Sequence, residues 1–229
     1  MILAVRSKRG TYLACDSHCS NPASDEAQKI FQCGSSAFIA ISGTVVARGS
    51  AVYPDGKVVS GTLDLMELLD RVCSDYAGDN TDLVEYVATG VFHPLWKFWQ
   101  QCVVPAPEAF LAKTPPTHDS VLTLSGIATI GSSMRVFEIQ FPFLRTGQLG
   151  QLVPPTVKDF DHEITGWGHT VDSDGIDFDL RRGRGVVPFI LRMYARSALK
   201  YPDAVGGPTD IGFLDKNGAR WISRKSRNK

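Results

Sequence analysis

The opening 43 residues constrain the fold most, because they write strand–turn–strand twice in succession. "ILAVRS" and "TYLACDS" mix alternation with apolar β-formers and are joined by "KRG". "KIFQCG" and "SAFIAISG" repeat the arrangement, with Gly34–Ser36 at the turn. Two successive hairpins commit the start of the chain to antiparallel sheet. The Gly10–Thr11 bond in the first turn raises a second possibility, since some enzymes cut themselves before a threonine to free a nucleophile. Cleavage there would discard the first strand, whereas a tight hairpin turn wants a residue that tolerates positive φ. The bond is therefore read as a turn. Gly43–Thr44 and Gly61–Thr62 are read likewise, as a strand exit and a helix cap.

The pattern then turns helical. "TLDLMELLDRVCSDYAG" places Leu65, Leu68, Leu69, Val72 and Tyr76 on one face, with Thr62 as N-cap and Gly78 as stop. Thr81 can cap a second helix through Val84, Val87, Ala88, Val91, Leu95 and Trp99, which Pro94 is expected to kink or break after Phe92. The proline-studded "PAPEAFLAKTPPTHD" connects to strands at "SVLTLSGIA" and "MRVFEIQF". An irregular stretch, 142–161, leads to "HEITGWGHT". A third helical pattern runs through Val186, Phe189, Ile190, Met193 and Ser197, and "TDIGFLDKNGARWIS" closes as a hairpin turning at Lys216–Gly218. Runs of strands followed by runs of helices predict an α+β protein of mostly antiparallel sheets, two packed sheets with helices outside. The expected layout is a single domain over 1–223, with 44–61 as an inserted hairpin and 224–229 as a basic tail.

Charge and cysteine content narrow the function classes. With 24 basic and 24 acidic residues, nothing draws the chain toward nucleic acid or anionic lipid. It contains no 18-residue apolar run to span a membrane, and its N-terminus turns charged too soon for a signal-peptide core. The 5 scattered cysteines, Cys15, Cys19, Cys33, Cys73 and Cys102, are read as reduced thiols of a cytoplasmic protein.

Three segments that bracket almost the whole chain resemble the proteasome family of N-terminal nucleophile hydrolases. "GTYLACDSH" is similar to the family's second strand, which ends in Ala-Asp-Ser. "KIFQCGSSAFIAISGTVVA" resembles its third and fourth strands, and "GGPTDIGFLDKNGARWI" its C-terminal strand pair. Residues 44 to about 165 match by element order alone. The resemblance implies a four-layer αββα sandwich, assembly into stacked rings as a homo- or hetero-oligomer, and, in active members, hydrolysis of a peptide substrate without cofactor.

The implied chemistry uses the side chain of residue one, activated by its own α-amine, whose reference pKa of about 7.7–8.0 suits a base at neutral pH. A lysine held by a carboxylate favours the deprotonated nucleophile, and backbone amides stabilise the oxyanion. By resemblance, Asp16 matches the aspartate after the second strand and Lys29 the lysine opening the third. Asp203 matches the later aspartate, and Gly43 the oxyanion glycine. The departures are equally specific. Aligning Gly10 puts Met1 one position after the nucleophile's place, and trimming Met1 would expose Ile2, which has no nucleophilic atom. The family's Gly-Ser-Gly stands here as Gly166-Trp167-Gly168, so Trp167 fills a place in the old cleft. A second supporting serine has no counterpart, Gly206 lying near its position.

Plainer readings stand beside these. Asp16 and Lys29 fit an ion pair at strand ends as well as a relic site. Cys15, His18 and Cys19 suggest metal ligands, but one Cys pair without two further ligands favours buried thiols, so no metal is expected. "DSDGIDFD", residues 172–179, fails the calcium-loop template, with glycine at its fourth position instead of its sixth. Trp96 and Trp99 fit core packing, with a subunit contact as the sharper alternative. The sequence thus predicts a proteasome-subunit-like protein without its own catalysis, in an oligomeric assembly. The alternatives are an active threonine, serine or cysteine peptidase or amidohydrolase whose true start lies upstream, and a ligand-binding module using the old cleft.

Overall fold

The computed structural model describes residues 1–20, 23–24, 26–43, 45–77, 83–102, 120–146, 149–152, 154–168 and 185–224. The chain opens with β1 (Ile2–Ser7) and β2 (Gly10–Asp16), followed by the two-residue strands β3 (Cys19–Ser20) and β4 (Ala23–Ser24), then β5 (Ile30–Cys33) and β6 (Ala37–Gly43). The hairpin β7 (Val46–Val52) and β8 (Val58–Asp64) precedes helices α1 (Leu65–Asp75) and α2 (Leu83–Cys102). Strands β9 (Ser120–Ile130), β10 (Ser133–Thr146), β11 (Leu149–Leu152), β12 (Thr156–Phe160) and β13 (Ile164–Trp167) follow. Helix α3 (Val186–Lys200) and the hairpin β14 (Thr209–Asp215) and β15 (Gly218–Ser223) complete the order.

The result is a mixed α+β protein with two large antiparallel sheets. One has the order β13-β1-β2-β14-β15, the other β11-β10-β9-β6-β5 with β12 also paired to β10. The two N-terminal hairpins are thus divided, one into each sheet. The alternation in their sequences serves both faces of each strand. Ile2, Ala4, Leu13 and Cys15 of the first sheet cluster with Ile30, Phe38, Ala40 and Ile127 of the second. Leu3, Val5 and Ala14 point the other way and pack with Phe189, Ile190, Met193 and Tyr194 of α3. Phe31, Ile39 and Ile41 pack with Leu65, Leu69, Val87 and Val91 of α1 and α2. Between the sheets Gly212 is required, because a Cβ there would lie 2.6 Å from the Phe38 ring.

Gly10–Thr11 lies at the start of β2, with Gly10 paired to Ser7 at φ 153° and Thr11 buried, which agrees with the turn reading. The hairpin expected at 44–61 is present as β7–β8 and runs on to Asp64. That extension corrects the helix start. Thr62 and Gly61 belong to β8, and Asp64 caps α1 by accepting from the Met66 and Glu67 amides at 2.9 and 3.0 Å. Pro94 does not break its helix; α2 continues through it, with Val91, Leu95 and Phe98 buried on either side. Burial of that face outweighs a penalty of about 3 kcal/mol for interior proline. The stretch 142–161 is not irregular either, since β10 extends to Thr146 and β11 and β12 both pair with it. Pro142 sits at a shift in the β9–β10 register, a place where a strand tolerates proline.

Cys33 and Cys73 form a disulfide joining the end of β5 to α1, so the reading of five reduced thiols holds for Cys15, Cys19 and Cys102 alone. Gly78, Thr81, the 172–179 loop and residues 225–229 of the tail lie outside the described residues.

Candidate functional site

Strand β2 ends at Asp16, where the first sheet meets the start of β5 in the second. The carboxylate is fully buried and accepts from two cations, an amide and, at 4.0 Å, the Cys15 thiol. The Met1 amine lies 2.8 Å from Oδ1, Lys29 Nζ lies 3.4 Å from the same oxygen, and the Gly206 amide lies 3.2 Å from Oδ2. A buried carboxylate is tolerated only with such compensation, and here two cations and an amide supply it.

Each donor is placed by its element. Met1 precedes β1, antiparallel to β2, and the Asp16 amide donates to the Met1 carbonyl at 3.3 Å. Tyr194, on the buried face of α3, donates its hydroxyl to that carbonyl at 3.2 Å. The Met1 side chain packs into the cluster beneath α3, away from the carboxylate's other partners. Lys29 immediately precedes β5, and its carbonyl accepts from the Ile41 amide at 2.8 Å, so Lys29 is the side chain that links the two sheets at this point. Gly206 lies in the turn after α3, where its carbonyl also accepts from the His18 amide at 3.2 Å.

Of the residues singled out from sequence, Asp16 and Lys29 are brought together. Gly43 ends β6 at φ 87°, opposite Leu122, two residues past the Ile41 that bonds Lys29, and so lies at the same end of its sheet. Asp203 is not part of the cluster. It is exposed, and its main-chain carbonyl, not its carboxylate, meets His18 Nε2 at 3.0 Å. Trp167 is paired with Ile2 across β13 and β1, and its ring is buried between the sheets, edge-on to Phe160 with centroids 5.6 Å apart. Its indole N–H has no partner among the described residues. The indole therefore packs in the core between the sheets, beside Ile2 and Phe160.

Two further groups touch this cluster. Cys15 donates its thiol to the Asp16 carbonyl at 3.2 Å. Burial pushes that thiol up to about 12, against the opposing pull of Lys29 and the Met1 amine. Burial likewise holds the Tyr194 hydroxyl well above its ordinary value, reinforced by Cys15 and Asp16. Both groups keep their protons at neutral pH, so neither serves as an anionic nucleophile. Tyr194 is the participant that sequence reasoning missed. Tyr194 follows Ile190 by four residues on the apolar helix face, which was the available signal. Gly206, placed by resemblance near the missing supporting serine, contributes its main-chain amide. Among the described residues no three His, Cys, Asp or Glu side chains are grouped to hold a metal ion.

No helix is long and apolar enough to cross a membrane among the described residues. Neither a protein-family model nor a curated protein sequence matches the chain.

Proposed function

We propose that this chain is a proteasome-subunit-like protein of the N-terminal nucleophile hydrolase fold, without independent catalysis, that acts structurally in an oligomeric assembly. The arrangement of clusters supports reading the fold as a four-layer αββα sandwich: α3, the five-stranded sheet, the six-stranded sheet, then α1 with α2. The carrying observation is the state of Asp16. Its carboxylate is committed to the Met1 amine, Lys29 and Gly206, while the indole of Trp167 occupies a position the resemblance assigns to a supporting serine. A cytoplasmic setting belongs to the same reading, as does a ring-type contact with copies or partner subunits.

The test is the intact mass and N-terminal residue of protein purified from its own source, with fluorogenic-peptide hydrolysis and sedimentation on the same sample. The expected result is a chain beginning at Met1, no turnover, and a sedimenting species larger than the monomer. The 3.4 Å contact between Lys29 and Asp16 favours one second reading, an active peptidase with an upstream start. A chain beginning at an upstream Thr, Ser or Cys, with turnover abolished by Lys29→Ala, would establish that reading and overturn the first.

A further inference from the structure

At the opposite end of the five-stranded sheet the β1–β2 and β14–β15 turns flank a cavity of about 560 Å³. That volume lies within the range of about 300–1,000 Å³ common for small-molecule sites. Four cationic side chains line it, Lys8, Arg9, Lys216 and Arg220, against the single carboxylate of Asp215. The imbalance is local, since the whole chain has formal net charge 0.

The carboxylate is already engaged. Asp215 accepts from the Asn217 amide at 2.8 Å and from Arg220 at 2.9 Å. Those bonds leave Lys8, Arg9 and Lys216, all exposed, with no ion-pair partner among the described residues. Arg220 is oriented twice over, by Asp215 and by the Phe213 ring, whose centroid lies 4.5 Å from its guanidinium carbon. Phe213 in turn packs on Tyr12 with centroids 4.5 Å apart, giving the cavity an aromatic wall beside its cations. Three unpaired cations on a concave surface, beside a guanidinium pre-oriented by its own carboxylate, suit a multiply charged anion of the phosphate class.

We propose that this cavity binds a small polyphosphate-bearing ligand, its charge read by Lys8, Arg9, Lys216 and Arg220 and any flat apolar portion by the half-buried Tyr12 ring. The proposal is independent of the Asp16 cluster, which lies at the other end of β2, about 20 Å away at roughly 3.3 Å per residue.

Calorimetric titration of the full chain with sodium triphosphate, ATP and adenosine tests it. Triphosphate and ATP are expected to bind, more weakly as salt rises, and adenosine not to bind. A Lys8→Gln/Arg9→Gln double variant, confined to an exposed turn, should lose at least about tenfold in affinity for both anions, close to 1.4 kcal/mol. Lys57→Gln, in the distant β7–β8 turn, should bind as the parent does. Absence of binding by both anions up to millimolar concentration, adenosine binding as tightly as ATP, or unchanged affinity in the double variant would each overturn the proposal.

Discussion

At one end of the five-stranded sheet Asp16 is fully buried and meets two cations and an amide within 3.4 Å. At the other end Lys8, Arg9 and Lys216 stand in water, and Arg220, its side chain 52% accessible, covers the buried carboxylate of Asp215. Both ends are rich in charge, and the solvent decides what that charge can do. Removing a carboxylate from water is so costly that Asp16 persists only as the hub of a closed network. At the opposite turns the buried Asp215 engages the Asn217 amide and Arg220, which leaves Lys8, Arg9 and Lys216 available to a ligand. The contrast assigns a structural role to the buried end and a recognition role to the wet one.

The sharpest way to break that comparison is Asp16→Ala. It would leave the Met1 amine and Lys29 without their shared counter-ion, and loss of one partner from a buried ion pair costs about 3–5 kcal/mol. Chemical denaturation should show a loss of that size. A loss below about 1 kcal/mol would mean that the buried network resembles the exposed end energetically. Gly10→Ala comes next, at the wet end. Its Cβ would meet the Phe213 ring at 2.7 Å and Asp215 Cβ at 3.0 Å, on a backbone at φ 153°. Overpacking of that kind costs about 1–3 kcal/mol. The same denaturation experiment reads it, and a neutral outcome would show that the two turns can separate.

The two ends also respond to opposite extremes of pH. Cys15 and Tyr194, beside Asp16, are acids whose folded-state values are raised by burial. The unfolded chain sheds those protons first. The stability they contribute is therefore complete below the ordinary thiol value of 9.0 and declines as pH rises toward about 12. For one proton the slope is about 1.4 kcal/mol per pH unit, so Cys15→Ala should flatten the alkaline limb of a stability–pH profile by up to that slope. An unchanged limb would place the thiol in a wetter setting.

The sequence made this contrast only partly legible. Asp16 and Lys29 could be paired in advance because both stand at ends of strands whose alternation is strong, and strand ends are fixed by register. Asp203 could not be excluded in the same way. It lies in a turn after α3, where one residue's difference in path presents the main chain to His18 in place of the side chain. The extension of β8 to Asp64 and the strands within 142–161 escaped notice for a related reason. Prolines and glycines weaken the local pattern there, and pairing with neighbouring strands supplies what the segment itself lacks. The continuous α2 carries the same lesson, because local proline chemistry predicts a break that tertiary burial prevents. The cavity at the wet end was invisible for a topological reason. Its cations come from two turns more than 200 residues apart in sequence, and the strand order β1-β2-β14-β15 alone brings them together.

The smallest expected effect is also the most discriminating for the wet end. Arg220→Gln removes a guanidinium that is half-exposed, and such pairs contribute little once water screens them. The melting temperature should stay within about 2–4 °C of the parent. Asp215 should still titrate below its ordinary value of 3.8, because the foremost cause of its lowered pKa is the Asn217 amide, which the substitution leaves in place. A carboxylate with a depressed value lends stability above its ordinary range and loses it as pH falls through the folded value. The acid limb should consequently survive the substitution, while affinity for triphosphate falls. Carboxyl-carbon NMR titration of Asp215 reads the first quantity and calorimetry the second. If Asp215 instead rose to its ordinary value in the variant, Arg220 would be bound up in holding the turn, and the division between a structural end and a recognition end would fail.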